Sequence, residues 1–422
     1  MKRVGYWISE KKAKSLNLED QKEVFRNAGI ELIKLDIFRP LEDQGPFDLI
    51  LHKFTGLMVK AEEGDTASLT VLQNVKDYIR CHPTCLLVDT FDSLKNLIDR
   101  NEQYKTLLRC HLLDSDSCVF TPTFVELTTT DISINKARLQ QANVKFPFVC
   151  KPIVAHSTSL SHKMCIIFNE SGLKDVQPPC VAQTFINHNA VLYKVFVIGD
   201  KQYITERPSL KNFYNEDQET IYFDSSQISK PNCSNALTEL DDGDPNQTDS
   251  PAKPDLELLK ELGQVVGLEF QIQLFGIDVI VDCITKKYAV IDINAFPGYE
   301  GVDGFVQLLC NHLMTLMNRQ AANTGNDRSL AGNKHNGHHL PLENGYCDRR
   351  KRLKYSSPEP EEHSGVCSKC CDNLFLSSGN KTVQMCQAKS LSEDLSVQVE
   401  NRAKSDVIPW KQPINGCVEH SL

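Results

Sequence analysis

The sequence predicts a mixed α/β protein with an N-terminal parallel α/β domain, a larger region of antiparallel hairpins and a C-terminal tail that does not fold. Three observations lead to this prediction. Short strands alternate with helices over residues 1–95, which is typical of a parallel sheet. Hairpin patterns replace that alternation from about residue 118, within a second region that we place at 96–322. Aromatic side chains become scarce over residues 323–422, which we therefore predict to be disordered.

In the N-terminal domain, short apolar runs are bounded by polar and turn-forming residues. The helix predicted over residues 18–28 is followed by Gly29, and glycine commonly ends helices. An apolar stripe at helical spacing runs from Leu69 to Ile79. Residues 92–109 are predicted to form one helix that leads into the second region. The predicted strands of this domain are 4–8, 30–35, 47–51 and 86–88.

The second region is predicted to consist of hairpins followed by one helix. Gly199 and Asp200 form a tight turn between two of its strands. Residues 224–256 are polar and acidic, so we predict a long surface loop there. A helix is predicted over residues 256–266, before two further strands. The predicted strands that precede the loop are 146–151, 164–168, 181–186, 191–198 and 202–207.

The two strands near residue 290 carry paired carboxylates. One contains Asp278, and the other contains Asp292 and Asn294. If the hairpin turns near Thr285, the two acids stand opposite each other, which destabilises a sheet unless a cation lies between them. Both acids lie within runs of Ile and Val, where an unpaired charge is costly. Oxygen ligands of this kind suit Mg²⁺, so we predict that Asp278, Asp292 and Asn294 hold magnesium; an ordinary hairpin with solvated carboxylates is the alternative.

Two lysines lie inside otherwise apolar strands. Lys151 ends the strand 146–151, and Lys194 lies within 191–198. A lysine in a buried strand needs an anionic partner, although a side chain that extends its ammonium to solvent is the alternative. Two such lysines beside a metal-type acid pair fit a nucleoside triphosphate, because lysines and magnesium together neutralise phosphates.

Charge and composition exclude several classes of protein. The 422-residue chain has a net charge of −9, which gives no general attraction to nucleic acid. Its 16 cysteines are scattered, as expected for reduced thiols inside a cell. No apolar run approaches membrane-spanning length, and the first residues lead directly into a strand without a hydrophobic signal segment. We therefore predict a cytoplasmic protein, with the nucleus as the alternative, that binds neither membrane nor nucleic acid.

The tail carries two further patterns. A zinc site at Cys367, Cys370 and Cys371 would need further ligands, for which Cys386 and upstream histidines are candidates. The basic run at 349–352 is most simply a solvated charge run, and a nuclear-import signal is the alternative.

The order of the candidate site residues resembles the ATP-grasp fold, in which a nucleotide lies between two antiparallel sheets. That order is Lys151, the stretch 183–194, then Asp278, Asp292 and Asn294. The common phosphate-binding, kinase and hydrolase motifs (GxxxxGK[ST], HRD, DFG and GxSxG) are absent from the sequence. A fold leaves the reaction open, and because most ATP-grasp enzymes are carboxylate–amine ligases, a ligase is one alternative.

Four longer motifs narrow the resemblance. The segments 3–12, 186–197, 207–213 and 292–301 together resemble the inositol tetrakisphosphate 1-kinase (inositol 1,3,4-trisphosphate 5/6-kinase) family, over about residues 2–320. The resemblance implies a monomeric kinase that uses ATP and Mg²⁺, with two ions expected. Its substrates would be soluble inositol polyphosphates, such as inositol 3,4,5,6-tetrakisphosphate at position 1 and inositol 1,3,4-trisphosphate at positions 5 and 6. An inactive scaffold that binds nucleotide or inositol phosphate is the alternative from another class.

The resemblance also implies roles for individual residues. Those expected to line the nucleotide are Arg100, Lys151, Gln183 and the rest of the 183–194 stretch including Lys194, Ser209, Ser225 and Ser229. Those expected to meet the substrate are Lys12, His162, Lys194, Asn294 and Gly298. Lys194 and Asp292 are expected to be catalytic, with Asp292 bridging metal ions. The loop 155–162 is longer than the family's corresponding loop and lacks its glycine, a departure that bears on His162.

A local group of basic residues independently favours a polyanionic substrate. Inositol polyphosphates carry several charges, so an acidic protein needs such a group to bind them. Transfer of a phosphoryl group in line requires no covalent intermediate, so no nucleophilic cysteine or serine is needed. The basic residues are Lys11, Lys12, Lys14, Lys53, Arg207, Lys211, His156 and His162.

Overall fold

The N-terminal part of the chain folds around a parallel sheet. The computed structural model describes residues 1–110, 118–155, 160–214, 217–231, 233–246 and 253–330. The sheet comprises β1 (Lys2–Trp7), β2 (Ile30–Lys34), β3 (Leu49–His52) and β4 (Leu86–Val88). Its strands are parallel and lie in the order β2-β1-β3-β4, which confirms the predicted parallel α/β architecture.

Four helices lie between these strands, and their ends follow from local sequence. Ser9 Oγ accepts a hydrogen bond from the Lys12 N–H, and the Asp65 carboxylate accepts one from the Ser68 N–H, so both satisfy N–H groups that a helix start leaves free. Gly29 follows the second helix with φ +83°, a left-handed conformation that glycine tolerates. The helices are α1 (Glu10–Leu16), α2 (Lys22–Asn27), α3 (Thr55–Glu62) and α4 (Thr66–Cys81).

Two short helices replace the single helix predicted over residues 92–109, so that prediction was wrong. They are α5 (Phe91–Ile98) and α6 (Arg100–Leu107). Asp99 separates them because its backbone forms a β-bridge with Val154 while its side chain accepts a hydrogen bond from the Glu102 N–H at 2.9 Å. A carboxylate in that position starts a new helix.

The rest of the described chain forms two sheets with helices against them. The strands are β5 (Val119–Phe120), β6 (Phe124–Leu127), β7 (Phe148–Pro152), β8 (Lys163–Ile167), β9 (Cys180–Thr184), β10 (Val191–Ile198), β11 (Lys201–Pro208), β12 (Ile221–Asp224), β13 (Leu274–Val281) and β14 (Tyr288–Ala295). The helices are α7 (Ile132–Gln141), α8 (Ser225–Ile228), α9 (Leu256–Phe270) and α10 (Phe305–Leu330).

The outer sheet is antiparallel throughout, in the order β12-β8-β7-β9-β6. Because side chains alternate along a strand, its two faces differ. Phe148 and Ile167 belong to a buried apolar cluster with Leu139 of α7. Lys151 and Gln183 point to the opposite face, toward the central sheet.

The central sheet has the order β11-β10-β13-β14-β5, and only β5 is parallel to its neighbour. Helix α9 covers one face, where Leu259 and Leu262 join Val195 in the main apolar core. The β13–β14 hairpin turns near Thr285, as predicted. Asp282 stabilises that turn by accepting a hydrogen bond from the Thr285 hydroxyl at 2.6 Å.

Several elements were not predicted from the sequence. These elements are β5, β6, α7, β12 and α10. The segment predicted as a surface loop, 224–256, contains the short helix α8. Helix α10 passes the predicted start of the tail and continues to Leu330, so the beginning of the predicted disordered segment 323–422 is helical. The remainder of that segment, with its cysteines and basic run, lies outside the described residues. In the described part of the chain, no helix is long and apolar enough to cross a bilayer.

Candidate active site

One row of side chains crosses three adjacent strands of the central sheet. Lys194 on β10 pairs with Asp278 on β13, and Asp278 pairs with Asp292 on β14. Residues directly opposite on neighbouring strands share a face of the sheet. The two acids therefore stand opposite each other, as the sequence predicted, with a lysine beside them.

The charge of Asp278 is only partly compensated by its neighbours. Its Oδ1 lies 3.1 Å from Lys194 Nζ, and its Oδ2 accepts a hydrogen bond from Asn294 Nδ2 at 3.4 Å. Burial raises the pKa of Asp278; the positive charge of Lys194 opposes this rise, and the negative charge of Asp292 adds to it. A further cation at this position would stabilise both carboxylates.

Asp292 has a buried carboxylate oxygen whose bonding capacity is unused. Its Oδ1 has no hydrogen-bond partner among the described residues, and neither does Arg100 Nε, which lies 3.7 Å away. That separation exceeds a hydrogen bond, and an unsatisfied buried carboxylate oxygen is unfavourable. Asp278, Asp292 and Asn294 together offer an all-oxygen donor set, which fits Mg²⁺ that keeps water and phosphate ligands.

Helix α6 covers the edge of β14 that extends beyond β5. Tyr104 OH donates a hydrogen bond to Ile291 O at 2.7 Å. Gln103 Nε2 donates to Ile293 O at 2.8 Å, while its Oε1 accepts from the Ile293 N–H at 3.1 Å. These side chains act in place of a neighbouring strand and hold the backbone on both sides of Asp292.

Arg100 and Lys151 also lie in this region, both almost completely buried. Arg100 Nη1 donates to Pro152 O at 2.6 Å. Burial lowers the pKa of Lys151 to about 7, against the attraction of Asp292. An ammonium has three N–H groups, and here each has an acceptor, so Lys151 joins the outer sheet to the central one. The acceptors of Lys151 are Tyr104 OH at 3.0 Å, Gln183 Oε1 at 2.7 Å and Ile291 O at 2.8 Å.

The linker between β9 and β10 connects the two sheets, and His188 lies within it. His188 Nδ1 is 2.6 Å from Ile186 O, and Nε2 is 2.7 Å from Ser209 Oγ. A carbonyl oxygen can only accept, so Nδ1 carries the proton and the Ser209 hydroxyl donates to Nε2. Burial lowers the pKa of His188 to about 4, which keeps the ring neutral. Ser209, predicted to line the nucleotide, is thus hydrogen-bonded to the linker.

The other predicted site residues of the outer sheet lie at its β8–β12 edge. Ser225 and Ser229 are the first residue and the C-cap of α8. His162 Nδ1 lies 3.3 Å from Ser225 Oγ. The structure therefore brings a residue predicted to meet the substrate beside one predicted to meet the nucleotide. Residues 156–159, which carry most of the departure from the family's loop, are outside the described part of the chain.

A second group of cations surrounds the segment that follows β14. Lys53 Nζ donates to Phe296 O at 3.1 Å, and Lys12 Nζ lies 5.9 Å from the centroid of the Phe296 ring. Burial and repulsion from Lys53 lower the pKa of Lys12 to about 7. Burial lowers the pKa of Lys53 to about 8, against attraction from Glu300 and with repulsion from Lys194. Lysines crowded in this way favour an anionic ligand, because its charge would relieve their repulsion.

Gly298 lies directly against the side chain of Glu300, which leaves no room for a Cβ. A Cβ at this position would overlap the carboxylate of Glu300, whose backbone oxygen accepts a hydrogen bond from Arg207. Lys211, another predicted basic residue, pairs with Asp241 instead. Lys14 is exposed on α1. The side chain of Lys11 and residue His156 are outside what the structure describes.

Sequence reasoning missed the residues that hydrogen-bond to the backbone of β14 on both sides of Asp292. Gln103 and Tyr104 follow Arg100 at helical spacings of three and four, so all three share one face of α6. Polar residues on the buried face of a helix were the available signal. His188 lies in the 183–194 stretch and Asn212 in the segment 207–213, but the sequence assigns neither residue an individual role.

The chain is similar in sequence to one family of proteins over most of its described length. The chain matches two adjoining family models, the inositol 1,3,4-trisphosphate 5/6-kinase pre-ATP-grasp domain over residues 3–94 and the corresponding ATP-grasp domain over residues 113–315. Inositol-tetrakisphosphate 1-kinase from Danio rerio is 44% identical over 324 residues, which cover 76% of this chain and 81% of that protein. The protein of the same name from Xenopus laevis is 42% identical over 326 residues, with the same coverage of 76% and 81%.

Solved structures of similar shape are more distant. D-alanine–D-alanine ligase from Bacillus anthracis is 16% identical with a TM-score of 0.46, covering 78% of this chain and 100% of that chain. D-alanyl-alanine synthetase A from Vibrio cholerae is 13% identical with a TM-score of 0.48, covering 76% of this chain and 99% of that chain. Values this low support no argument about this chain.

The relatives of known name, in contrast, are similar over most of their length. Their identity and coverage, together with the two matching family models, establish the family. The chain belongs to the inositol 1,3,4-trisphosphate 5/6-kinase family, and it is therefore a phosphotransferase of the ATP-grasp fold that uses ATP.

Proposed function

We propose that this protein transfers the γ-phosphate of ATP to a hydroxyl of a soluble inositol polyphosphate. Inositol 3,4,5,6-tetrakisphosphate, at position 1, and inositol 1,3,4-trisphosphate, at positions 5 and 6, are the proposed substrates. The observation that carries this proposal is the convergence of an opposed acid pair, Asp278 and Asp292, with Lys12, Lys53 and Lys194 from three separate parts of the chain. The names of the Danio and Xenopus relatives support the tetrakisphosphate as a substrate.

Magnesium would be held by Asp278, Asp292 and Asn294. The buried Asp292 Oδ1 that lacks a hydrogen-bond partner supports this assignment, as does the raised pKa of Asp278. When bound, magnesium supplies positive charge that offsets the charge of the phosphates during transfer.

The nucleotide would lie between the two antiparallel sheets. Lys151 and Arg100 are the cations of this part of the cleft, and both are buried. Because burial lowers the pKa of Lys151, an anionic phosphate gains by restoring the charged form of the ammonium. The remaining residues proposed for the nucleotide are Gln183 with the 183–194 stretch, Ser209, Ser225 and Ser229.

The inositol phosphate would bind on the side of the cleft that faces the N-terminal sheet. Lys12 and His162 would contact its phosphates, and Asn294 and Gly298 would border it. The attacking hydroxyl displaces ADP from the γ-phosphate in line, so no covalent enzyme intermediate is formed. Lys194 would stabilise the negative charge on the phosphoryl group as it moves.

A product analysis tests the proposal directly. The protein is incubated with γ-labelled ATP, Mg²⁺ and a panel of inositol phosphates, and the products are separated by ion-exchange chromatography. We expect label in a more highly phosphorylated inositol, without any added acid or amine. Release of labelled phosphate only when a carboxylic acid and an amine are both present would identify a ligase. Binding of ATP without any turnover would identify a scaffold.

We also propose that the protein acts as a cytoplasmic monomer, with the nucleus as the alternative location. Its net charge of −9 argues against binding to nucleic acid. Size-exclusion chromatography with light scattering measures the oligomeric state.

A further inference from the structure

The linker between β9 and β10 has an unfavourable backbone conformation. Asn189 and Ala190 are consecutive residues with φ of 55° and 56°, in the left-handed region that alanine rarely adopts, although asparagine tolerates it. Such conformations persist only when surrounding contacts hold them. The contacts that hold this linker are therefore informative about its function.

Asn212 provides those contacts. Its Oδ1 accepts hydrogen bonds from the N–H groups of His188 at 3.0 Å and Asn189 at 2.9 Å. Its Nδ2 donates to Asn189 Oδ1 at 2.7 Å and to Asp244 Oδ2 at 3.0 Å. A side-chain amide can accept two hydrogen bonds and donate two, so Asn212, which is 3% exposed, uses its full capacity.

Asp244 and the two backbone N–H groups together determine which way the Asn212 amide points. If the amide were flipped, Nδ2 would face two N–H donors, and Oδ1 would face the carboxylate of Asp244. A carboxylate only accepts, so it excludes the flipped form. Asp244 is itself held, because its Oδ1 accepts hydrogen bonds from Tyr214 OH at 2.7 Å and from the Asn246 N–H at 2.8 Å. The segment 233–246 thus reaches the linker through this carboxylate, by way of Asn212, and through Asn246 O, which accepts a hydrogen bond from Asn189 Nδ2 at 3.0 Å.

Neighbouring contacts extend the same arrangement toward Ser209. Phe213 N–H donates to Asn187 Oδ1 at 2.9 Å, and Asn187 Nδ2 donates to Phe213 O at 3.2 Å. The Ser209 N–H donates to Ala190 O at 2.8 Å, while its hydroxyl donates to the ring of His188. A change in the linker would therefore move Ser209 as well.

We propose that Asn212 is a positioning residue for the nucleotide, and that Asp244 holds its amide in the one orientation that shapes the linker. Asn212 acts through the 186–190 backbone and Ser209 rather than by touching ATP. This inference rests on the proposed function in one respect, which is that the linker and Ser209 line the nucleotide. The lysines around Phe296 lie elsewhere in the cleft, so binding of the inositol phosphate should not depend on Asn212.

Calorimetry with adenylyl imidodiphosphate and Mg²⁺ tests the inference without turnover. Asn212→Asp puts a second carboxylate beside Asp244 and removes two donated hydrogen bonds, so nucleotide affinity should fall roughly tenfold or more. Combining it with Asp244→Asn restores a donor–acceptor pair between the two positions. The double variant should regain affinity to within about threefold of the wild type. Asn311→Asp, the same change on the exposed face of α10, is the matched control and should have no effect.

Steady-state kinetics separate positioning from a purely structural role. In Asn212→Asp the KM for ATP should rise while the KM for the inositol phosphate stays within about twofold, and the double variant should reverse the change. Equal changes in both KM values, or a lowered Tm with unchanged nucleotide affinity, would overturn the inference. If Asn212→Asp does not fold, Asp244→Asn alone decides the question, because its single amide oxygen cannot accept from both Asn212 Nδ2 and the Asn246 N–H, so nucleotide binding should weaken about threefold. If the wild type phosphorylates no inositol phosphate but Asn212→Asp still loses nucleotide affinity, the proposed function is overturned and this inference stands.

Discussion

Asp292 is the residue on which most of the proposed chemistry depends. It lies opposite Asp278, its Oδ1 has no hydrogen-bond partner among the described residues, and the backbone on either side of it is held by Tyr104 and Gln103. The protein thus fixes a carboxylate in place without satisfying it. This is expected of a group whose partner is a ligand, because preorganised charge costs no rearrangement during the reaction.

The first prediction concerns this carboxylate. Asp292→Asn should keep the fold, because it removes a like-charge repulsion, but turnover should fall roughly 10²-fold or more, the scale of losing a main electrostatic contact. Turnover is measured at saturating ATP and Mg²⁺. Asp282→Asn is the control, since Asp282 stabilises the hairpin turn and lies outside the row formed by Lys194, Asp278 and Asp292. Near-normal turnover of Asp292→Asn would exclude a role for this carboxylate in holding magnesium.

The second prediction separates the two halves of the cleft. Lys151→Met keeps the apolar stem but removes an ammonium that lies between the sheets, so ATP affinity should fall roughly ten- to a hundredfold. Lys12→Ala and His162→Ala should weaken use of the inositol phosphate by a similar factor and leave ATP affinity within about twofold. Calorimetry with ATP alone and kinetics with both substrates give the two values. Similar losses of ATP affinity in all three variants would contradict this division.

The third prediction is a pH dependence that follows from Lys12. Its pKa is lowered to about 7, so in the free protein the ammonium is charged below that pH and increasingly neutral above it. A polyanionic substrate favours the charged form, so binding above pH 7 should take up protons and the KM for the inositol phosphate should rise between pH 7 and 8.5. Lys12→Arg stays charged throughout, so its KM should change less with pH.

The phosphates of the substrate titrate in the same way with the wild type and with Lys12→Arg. Their contribution therefore cancels when the two pH profiles are compared. Lys14→Arg, on the exposed side of the same helix, should retain the wild-type pH profile. Proton uptake is measured by calorimetry in buffers of different ionisation enthalpy. Identical uptake in wild type and Lys12→Arg would mean that another group titrates.

At the scale of elements, the contact between α6 and β14 positions the acid pair. Strand β14 has β5 beside it only at Tyr288 and Ala289. Side chains of α6 take the place of a neighbouring strand from Ile291 to Ile293. An open strand edge in the interior would leave backbone groups unsatisfied, so this substitution is required for the fold as well as for the site.

The fourth prediction tests that contact. Gln103→Met leaves the buried N–H and C=O of Ile293 without partners, which should cost about 1–3 kcal/mol for each group in the free energy of unfolding. Turnover should also fall, because Asp292 and Asn294 flank the released backbone. Urea denaturation and steady-state kinetics provide the two measurements. Gln140→Met on the exposed face of α7 is the control, and equal stability of the two variants would show that Gln103 is not needed.

At the scale of the whole molecule, the described residues up to Leu330 contain the core and every proposed site residue. The last of these elements, α10, packs Leu309, Leu313 and Met317 into the core that underlies the N-terminal sheet. The family match ends at residue 315, within this helix. The catalytic body, meaning the part of the chain that ends at Leu330, therefore needs α10. In the described chain, no buried core residue follows Met317.

The fifth prediction is that truncation after Leu330 leaves Tm and kcat/KM nearly unchanged. The residues removed include only four aromatics and were predicted to be disordered from the sequence. Truncation after Gly304 is the contrasting variant and should prevent folding, because it removes the buried face of α10. Thermal unfolding and the kinase assay report the result. A large loss in the longer variant would mean that the tail contributes to the catalytic body.

The sequence by itself determined the strands whose pattern is strongly periodic and the chemistry that their polar residues imply. Residues 191–198 were predicted as a strand with the bounds of β10, and the opposition of Asp278 and Asp292 followed from a hairpin turning near Thr285. Both inferences use contacts between residues close in the chain. Local patterns suffice there because side chains alternate along a strand and a short turn fixes its register.

Tertiary structure decided what depends on distant segments meeting. The break at Asp99 needs Val154, the support of β14 needs Gln103 from α6, and the orientation of Asn212 needs Asp244 from another loop. In each case a polar group that is unremarkable in the sequence acquires its function because burial removes water as its hydrogen-bond partner. The chain must then supply a specific partner from elsewhere, and no local pattern specifies which residue that will be.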